Sequence, residues 1–95
     1  MEDMQKNASR ATALLKSMAN EWRLLILCQL SQSEMTVGEL TELVPLSQSA
    51  LSQHLSVLRR EKLVKTRRSS QFVYYSLDSE DVQAVIGTLY EQFCA

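Results

Sequence analysis

Glycine and proline are nearly missing from this chain: two glycines and one proline in 95 residues. Their scarcity excludes Gly-rich phosphate-cradling loops, flexible linkers and low-complexity tracts. A single histidine, with no nucleophile–base pairing, leaves nothing to carry enzyme chemistry. The two cysteines, Cys28 and Cys94, form no CxxC and have no His nearby, so zinc-finger spacing is absent and neither a metal nor a cofactor is expected. No apolar run approaches the length of a membrane span. The opening MEDMQKNASR is polar, with Glu2 and Asp3 balanced by Lys6 and Arg10, and is not a secretory signal. A cytoplasmic protein is expected, and there an isolated disulfide is usually transient or regulatory.

What is present fits one small folded domain over residues 1–95. The hydrophobic fraction of 45% and charged fraction of 22% are ordinary for such a chain. A core this small often gains by pairing with a second copy. The net charge of −1 hides strong segregation. Between Arg59 and Arg68 lie Arg59, Arg60, Lys62, Lys65, Arg67 and Arg68 against Glu61 alone, a local charge of +5 on a remainder of −6. Such an asymmetry marks either a localised anion-binding face or a solvated basic turn, and composition does not choose between them.

Hydrophobic spacing predicts a first helix over about residues 5–18, with Ala8, Ala11, Leu14, Leu15 and Met18 on one stripe. Asn20 is placed to cap a second helix carrying Leu24, Leu25, Leu27, Cys28 and Leu30 and ending near Ser31. Thr36-Val37-Gly38-Glu39 has the form of a capping box opening a short helix with Leu40 and Leu43. Pro45 stops it, and Ser47 can cap the next. In that fourth helix Leu51, Leu55 and Leu58 must face inward, with Gln48, Ser49, Ser52, Gln53 and Ser56 opposite. Leu63–Arg67 and Phe72–Leu77 flank a polar tip and read as a hairpin, with Tyr74 and Tyr75 on opposite faces. Asp78 is expected to cap a last helix whose stripe is Val82, Val85, Ile86, Leu89, Tyr90 and Phe93, and Trp22 and Tyr90 read as helix-packing aromatics.

Two helices joined by a tight turn, followed by a basic hairpin, make a winged helix-turn-helix: mainly α, five helices plus a two-stranded wing. Serine has middling helix propensity, so Ser47, Ser49, Ser52 and Ser56 within ten residues are an odd choice for mere solvated surface. Short hydroxyl and amide side chains let a helix sit deep in a major groove and meet base edges, Gln being suited to adenine. On this reading Ser47, Gln48, Ser49, Ser52 and Gln53 face double-stranded DNA. Arg59, Arg60, Arg67 and Arg68 hold phosphates, Gln71 sits at the wing tip, and His54 lies at the border of the helix faces, contacting DNA or packing.

These residues resemble the ArsR-type winged-helix transcription regulators. MANEWRLLILCQL is similar to the family's second helix, and LSQSALSQHLSVLRREKLVKTRRSSQFVYYSL to its recognition helix and wing. The resemblance implies a homodimer through the first and last helices, with two recognition helices on successive major grooves of a partly palindromic operator. This chain departs from the pattern at Lys62, where the family usually has Gly, and at the Ser69-Ser70-Gln71 tip. A left-handed cap at Lys62 costs a non-Gly residue roughly 1 kcal/mol.

Thr36 and Gly38 occupy the positions where many relatives place metal-binding thiolates, so metal or arsenical sensing by that route is disfavoured. The other family site needs His on the last helix, and the only His here is His54. Cys28 and Cys94, in the second helix and at the end of the last, resemble the placement in the sulfur- and redox-sensing branch, the BigR- and HlyU-like regulators. The resemblance implies that oxidants or reactive sulfur species link the two thiols and loosen operator binding. Read alone, Cys28 is a small buried hydrophobe and Cys94 an idle terminal thiol. The leading expectation is a thiol-switched repressor, or a regulator that relieves repression. The alternatives are a regulator without a thiol switch and a protein-binding winged-helix module.

Overall fold

The computed structural model describes residues 2–94. The helices are α1 (Glu2–Met18), α2 (Glu21–Gln32), α3 (Val37–Leu43), α4 (Gln48–Arg60) and α5 (Glu80–Phe93). The antiparallel hairpin of β1 (Val64–Ser69) and β2 (Phe72–Leu77) lies between α4 and α5, pairing Val64 with Leu77 at its base and Ser69 with Phe72 at its tip. This is the five-helix winged helix-turn-helix expected from the sequence.

Local signals set most boundaries. The Asn20 side chain accepts hydrogen bonds from the backbone N–H groups of Trp22 and Arg23, starting α2. Thr36 and Glu39 complete the capping box of α3. Ser47 Oγ accepts from Ala50 N–H at 3.1 Å and starts α4. β1 runs Val64–Ser69 rather than Leu63–Arg67, its pairing with β2 reaching to the Ser70-Gln71 loop, and two helix starts also differ from expectation. α1 starts by Glu2, where Glu2 and Asp3 complement the positive end of the helix dipole. The N-cap of α5 is Ser79, not Asp78: Ser79 Oγ accepts from Val82 N–H, whereas Asp78 N–H donates to Leu63 O at 2.9 Å, tying the strand exit to the start of the hairpin.

α4 ends in a Schellman motif. Leu63 N–H donates to Leu58 O and Lys62 N–H to Arg59 O, with Lys62 at φ 66°. The left-handed residue is thus a lysine, and the apolar contact that accompanies such a motif is supplied by buried Leu58 and Leu63. At the wing tip only Ser70 of the two-residue Ser70-Gln71 loop has positive φ, 58°, the pattern of a type II′ turn with Ser where Gly is usual.

Ile26, Leu27 and Leu30 of α2, Leu40 and Val44 around α3, Leu51, Leu55 and Leu58 of α4, and Val82 and Ile86 of α5 form one core. Tyr75 packs on it from the hairpin, and Met35 exchanges two backbone hydrogen bonds with Tyr75, fastening the α2–α3 connection to β2. The outer helices are less satisfied. Of the α1 stripe only Met18 is buried, and Leu15 is 55% exposed. On α5, Tyr90 is 54% and Phe93 81% exposed, so Tyr90 does not pack within the protomer as its spacing suggests. Leu43 is also exposed, its place in the core being taken by Val44.

Candidate nucleic-acid interface and thiol pair

Because Leu51, Leu55 and Leu58 are fully buried, the rest of α4 is oriented without ambiguity. Gln48, Ser49, Ser52, Gln53 and Ser56 are all exposed, forming a continuous hydroxyl and amide surface that runs into exposed Arg59 and Arg60. Ser47 is exposed too, but its hydroxyl oxygen serves the helix cap. The arrangement offers small donors and acceptors along one helix face, with cations at its C-terminal end.

The wing arginines part company. Arg67 and Arg68 are adjacent in a strand and so point to opposite faces. Arg67 stacks over the Tyr74 ring, 4.6 Å from its centroid. Its Nε donates to Glu34 Oε2 at 2.8 Å, and its Nη2 donates to Glu34 Oε1. That hydrogen bond holds the Glu34 carboxyl below its usual range, with the guanidinium charge adding to it. Arg68 and Gln71 are exposed, and Arg68 has no ion pair among the described residues. Glu34 carried no signal in the sequence, since its partner lies 33 residues away and meets it only once the wing is folded.

His54 sits at the edge of the α4 polar face, half-buried, with Nδ1 accepting from Arg23 Nε at 3.4 Å. Arg23 also donates to Ser17 O at 3.3 Å, and the Ser17 hydroxyl donates to Glu61. This chain of contacts ties the end of α1 and the start of α2 to the middle and the C-cap of α4. The Arg23 guanidinium is thus engaged with His54 and Ser17.

Both cysteines are free thiols. Cys28 is half-buried on α2 and Cys94 is exposed at the C-cap of α5. Burial pushes the Cys28 pKa up, and the nearness of Cys94 raises it further. A cleft of about 440 Å³ beside Cys28 is walled by Gln29 and Gln32 of α2 and Gln83, Gly87 and Tyr90 of α5. At the metal-thiolate positions of the resembled family, Thr36 is committed to its capping box and Gly38 has no side chain.

Residues 20–66 match the family model described as bacterial regulatory protein, arsR family. The chain is 52% identical over 94 residues to the transcriptional activator HlyU of Vibrio cholerae, covering 99% of this chain and 87% of that protein. Among solved structures, reduced HlyU from Vibrio cholerae superposes with a TM-score of 0.92 at 52% identity over the full length of both chains. The transcriptional repressor BigR from Xylella fastidiosa superposes with a TM-score of 0.93 at 38% identity, over 99% of this chain and 96% of that one.

Proposed function

This chain belongs to the arsR family of bacterial regulatory proteins and is a DNA-binding transcriptional regulator; from that premise we propose that it works as a homodimer whose operator binding is switched by linking Cys28 to Cys94. The observation that carries the proposal is the thiol pair itself: two free cysteines, one half-buried on α2 beside the cleft that α2 shares with α5, the other exposed at the C-cap of α5.

α4 reads the major groove through Gln48, Ser49, Ser52 and Gln53, with Ser47 at its mouth. Arg59, Arg60 and Arg68 grip phosphates, and Gln71 carries the wing tip toward the minor groove. The exposed Met4 and Leu15 of α1 and Tyr90 and Phe93 of α5 are apolar surface that a second copy would cover, giving the two-fold arrangement that a palindromic operator requires.

In the switch, Cys94 is the exposed thiol and reacts first. A peroxide oxidises it to a sulfenic acid and is reduced in doing so. Cys28 then attacks that sulfur and expels water, leaving a disulfide, so two thiols have given up two electrons and two protons. An inorganic polysulfide would leave the same bridge with one or more extra sulfurs. Cys94 attacks the chain and expels a hydrosulfide, and Cys28 attacks the sulfur left on Cys94 and expels a second. The two electrons leave on these reduced sulfurs. Either product draws the end of α5 toward α2, and α5 is a helix of the proposed dimer contact. Relatives described as an activator and as a repressor share this fold, so loss of operator binding relieves or imposes repression according to the promoter.

The test is operator affinity of fully reduced protein against protein treated with polysulfide or peroxide. Treatment should weaken binding at least tenfold, about 1.4 kcal/mol, and Cys28→Ser should abolish the response. Equal affinity before and after, or an unaltered response in Cys28→Ser, removes the switch.

A further inference from the structure

The contact between α2 and α4 at Arg23 and His54 has a chemical consequence that the thiol switch does not use. An imidazole nitrogen that accepts a hydrogen bond carries no proton, so a neutral His54 accepting from Arg23 at Nδ1 must hold its proton on Nε2. Among the described residues Nε2 has no hydrogen-bond partner, and no buried side-chain nitrogen or oxygen is left without one. Nε2 is therefore open to solvent. His54 follows Gln53 by one residue, about 100° around the helix, which puts it between the buried leucine row and the polar face. That is the flank where a groove-bound helix meets the sugar-phosphate rail rather than the base edges.

Arg23 is built to hold this state. Its backbone N–H donates to the Asn20 cap at 3.1 Å, and a second guanidinium nitrogen donates to Ser17 O at 3.3 Å, so the group is fixed at both ends. It has no carboxylate partner among the described residues. The other charged groups at this corner are Glu61, which accepts from Ser17, and Arg10, Lys16 and Asp81, which line the adjoining cleft.

We infer that Arg23 is a positioning residue that fixes His54 as the neutral Nε2–H tautomer, so that Nε2–H donates to a DNA phosphate oxygen at the edge of the recognition helix. The inference rests on the reading of α4 as the DNA-reading helix. A neutral donor adds affinity without releasing a counterion, which separates its signature from that of the arginines.

Long-range ¹H–¹⁵N correlation of ¹⁵N-labelled, reduced protein at about pH 8.5, above the range in which free imidazole protonates, tests the tautomer without DNA. The wild type should show Nε2–H alone. Arg23→Met, which keeps the stem but has no donor, should admit the Nδ1–H form, and Arg23→Lys should restore part of the preference. On operator DNA, Arg23→Met should cost about 3- to 10-fold in affinity with an unchanged salt slope, but less than about twofold in a His54→Gln background, where an amide donor needs no tautomer. An Nδ1–H wild type, or a tautomer indifferent to Arg23→Met, overturns the inference while leaving operator binding intact. A salt slope reduced by about 0.9 in both backgrounds also overturns it, because Arg23 would then be gripping phosphate itself. Full operator affinity in His54→Ala would remove the phosphate contact. Wild-type protein that binds no operator would instead strike the reading of α4.

Discussion

Arg67 of the wing and Glu34 of the α2–α3 connection form a bidentate ion pair, with Arg67 stacked on Tyr74 beneath it. The Arg67 charge is thereby matched and aimed back at the α2–α3 connection, while Arg68 on the opposite face has no ion pair among the described residues. The Met35–Tyr75 bridge next to Glu34 holds the same connection to β2, as the ion pair holds it to β1, and together they fix where the wing sits.

It follows that the two wing arginines will behave differently on DNA. Arg68→Ala should lower the slope of log affinity against log salt by about 0.9. Arg67→Ala should change the slope little, because its charge is already matched by Glu34. Glu34→Gln should steepen the slope by up to about 0.9, as the released guanidinium becomes available to a phosphate. Titrations over a range of salt concentrations measure all three. Equal slopes for Arg67→Ala and Arg68→Ala would show that Glu34 yields Arg67 freely on binding.

The left-handed Lys62 makes the end of α4 a site for stabilisation. Glycine adopts φ 66° without the Cβ clash, so Lys62→Gly should stabilise the fold by roughly 1 kcal/mol. Thermal unfolding of reduced protein at fixed concentration checks this, with a Tm raised by a few degrees expected. An unchanged or lower Tm would mean that the unfolded-state entropy of the added glycine offsets the relief.

Cys28 should be a sluggish nucleophile. Burial and the neighbouring Cys94 both raise its pKa, so at any pH near neutrality its thiolate fraction lies below that of a free cysteine. In a Cys94→Ser variant the second cause disappears and the first remains. Iodoacetamide alkylation of Cys28, followed against pH by mass spectrometry, should rise with a midpoint above the ordinary thiol range, and nearer to it in Cys94→Ser. A midpoint below that range would make Cys28 the first thiol to react and reverse the order proposed for the switch.

The exposed end of α5 should carry self-association. Phe93 is 81% exposed in the protomer and takes no part in the core. If a second copy covers it, Phe93→Ser forfeits roughly 1.5–3 kcal/mol per buried side chain and shifts a dimer toward monomer at micromolar concentration. Sedimentation equilibrium detects this, and circular dichroism should be unaltered. Association unchanged by Phe93→Ser would place the dimer contact elsewhere.

The parts of the fold legible in the sequence are those fixed by neighbours along the chain. The spacing of Leu51, Leu55 and Leu58, the Asn20 cap and the Thr36–Glu39 box each need only a few consecutive residues, and each is found as expected. Where two adjacent residues could cap α5, Asp78 and Ser79, the choice fell to a tertiary bond from Asp78 N–H to Leu63 O, which no local pattern shows. Periodicity likewise places Tyr90 and Phe93 on the α5 stripe, but it cannot say whether that stripe is covered by its own chain. The exposed face of α4 was legible for the same reason as its buried one. Arg67–Glu34 and Arg23–His54 were not, because each joins residues more than thirty positions apart through the finished fold.

The most direct measurement follows one sample through stepwise polysulfide treatment, reading the linked fraction by intact mass and operator binding by fluorescence anisotropy at each step. Binding should fall in proportion to the Cys28–Cys94 linked species, with Cys28→Ser and Cys94→Ser each unlinked and fully bound throughout. Quantitative linkage of the two thiols with operator affinity unchanged would contradict the account.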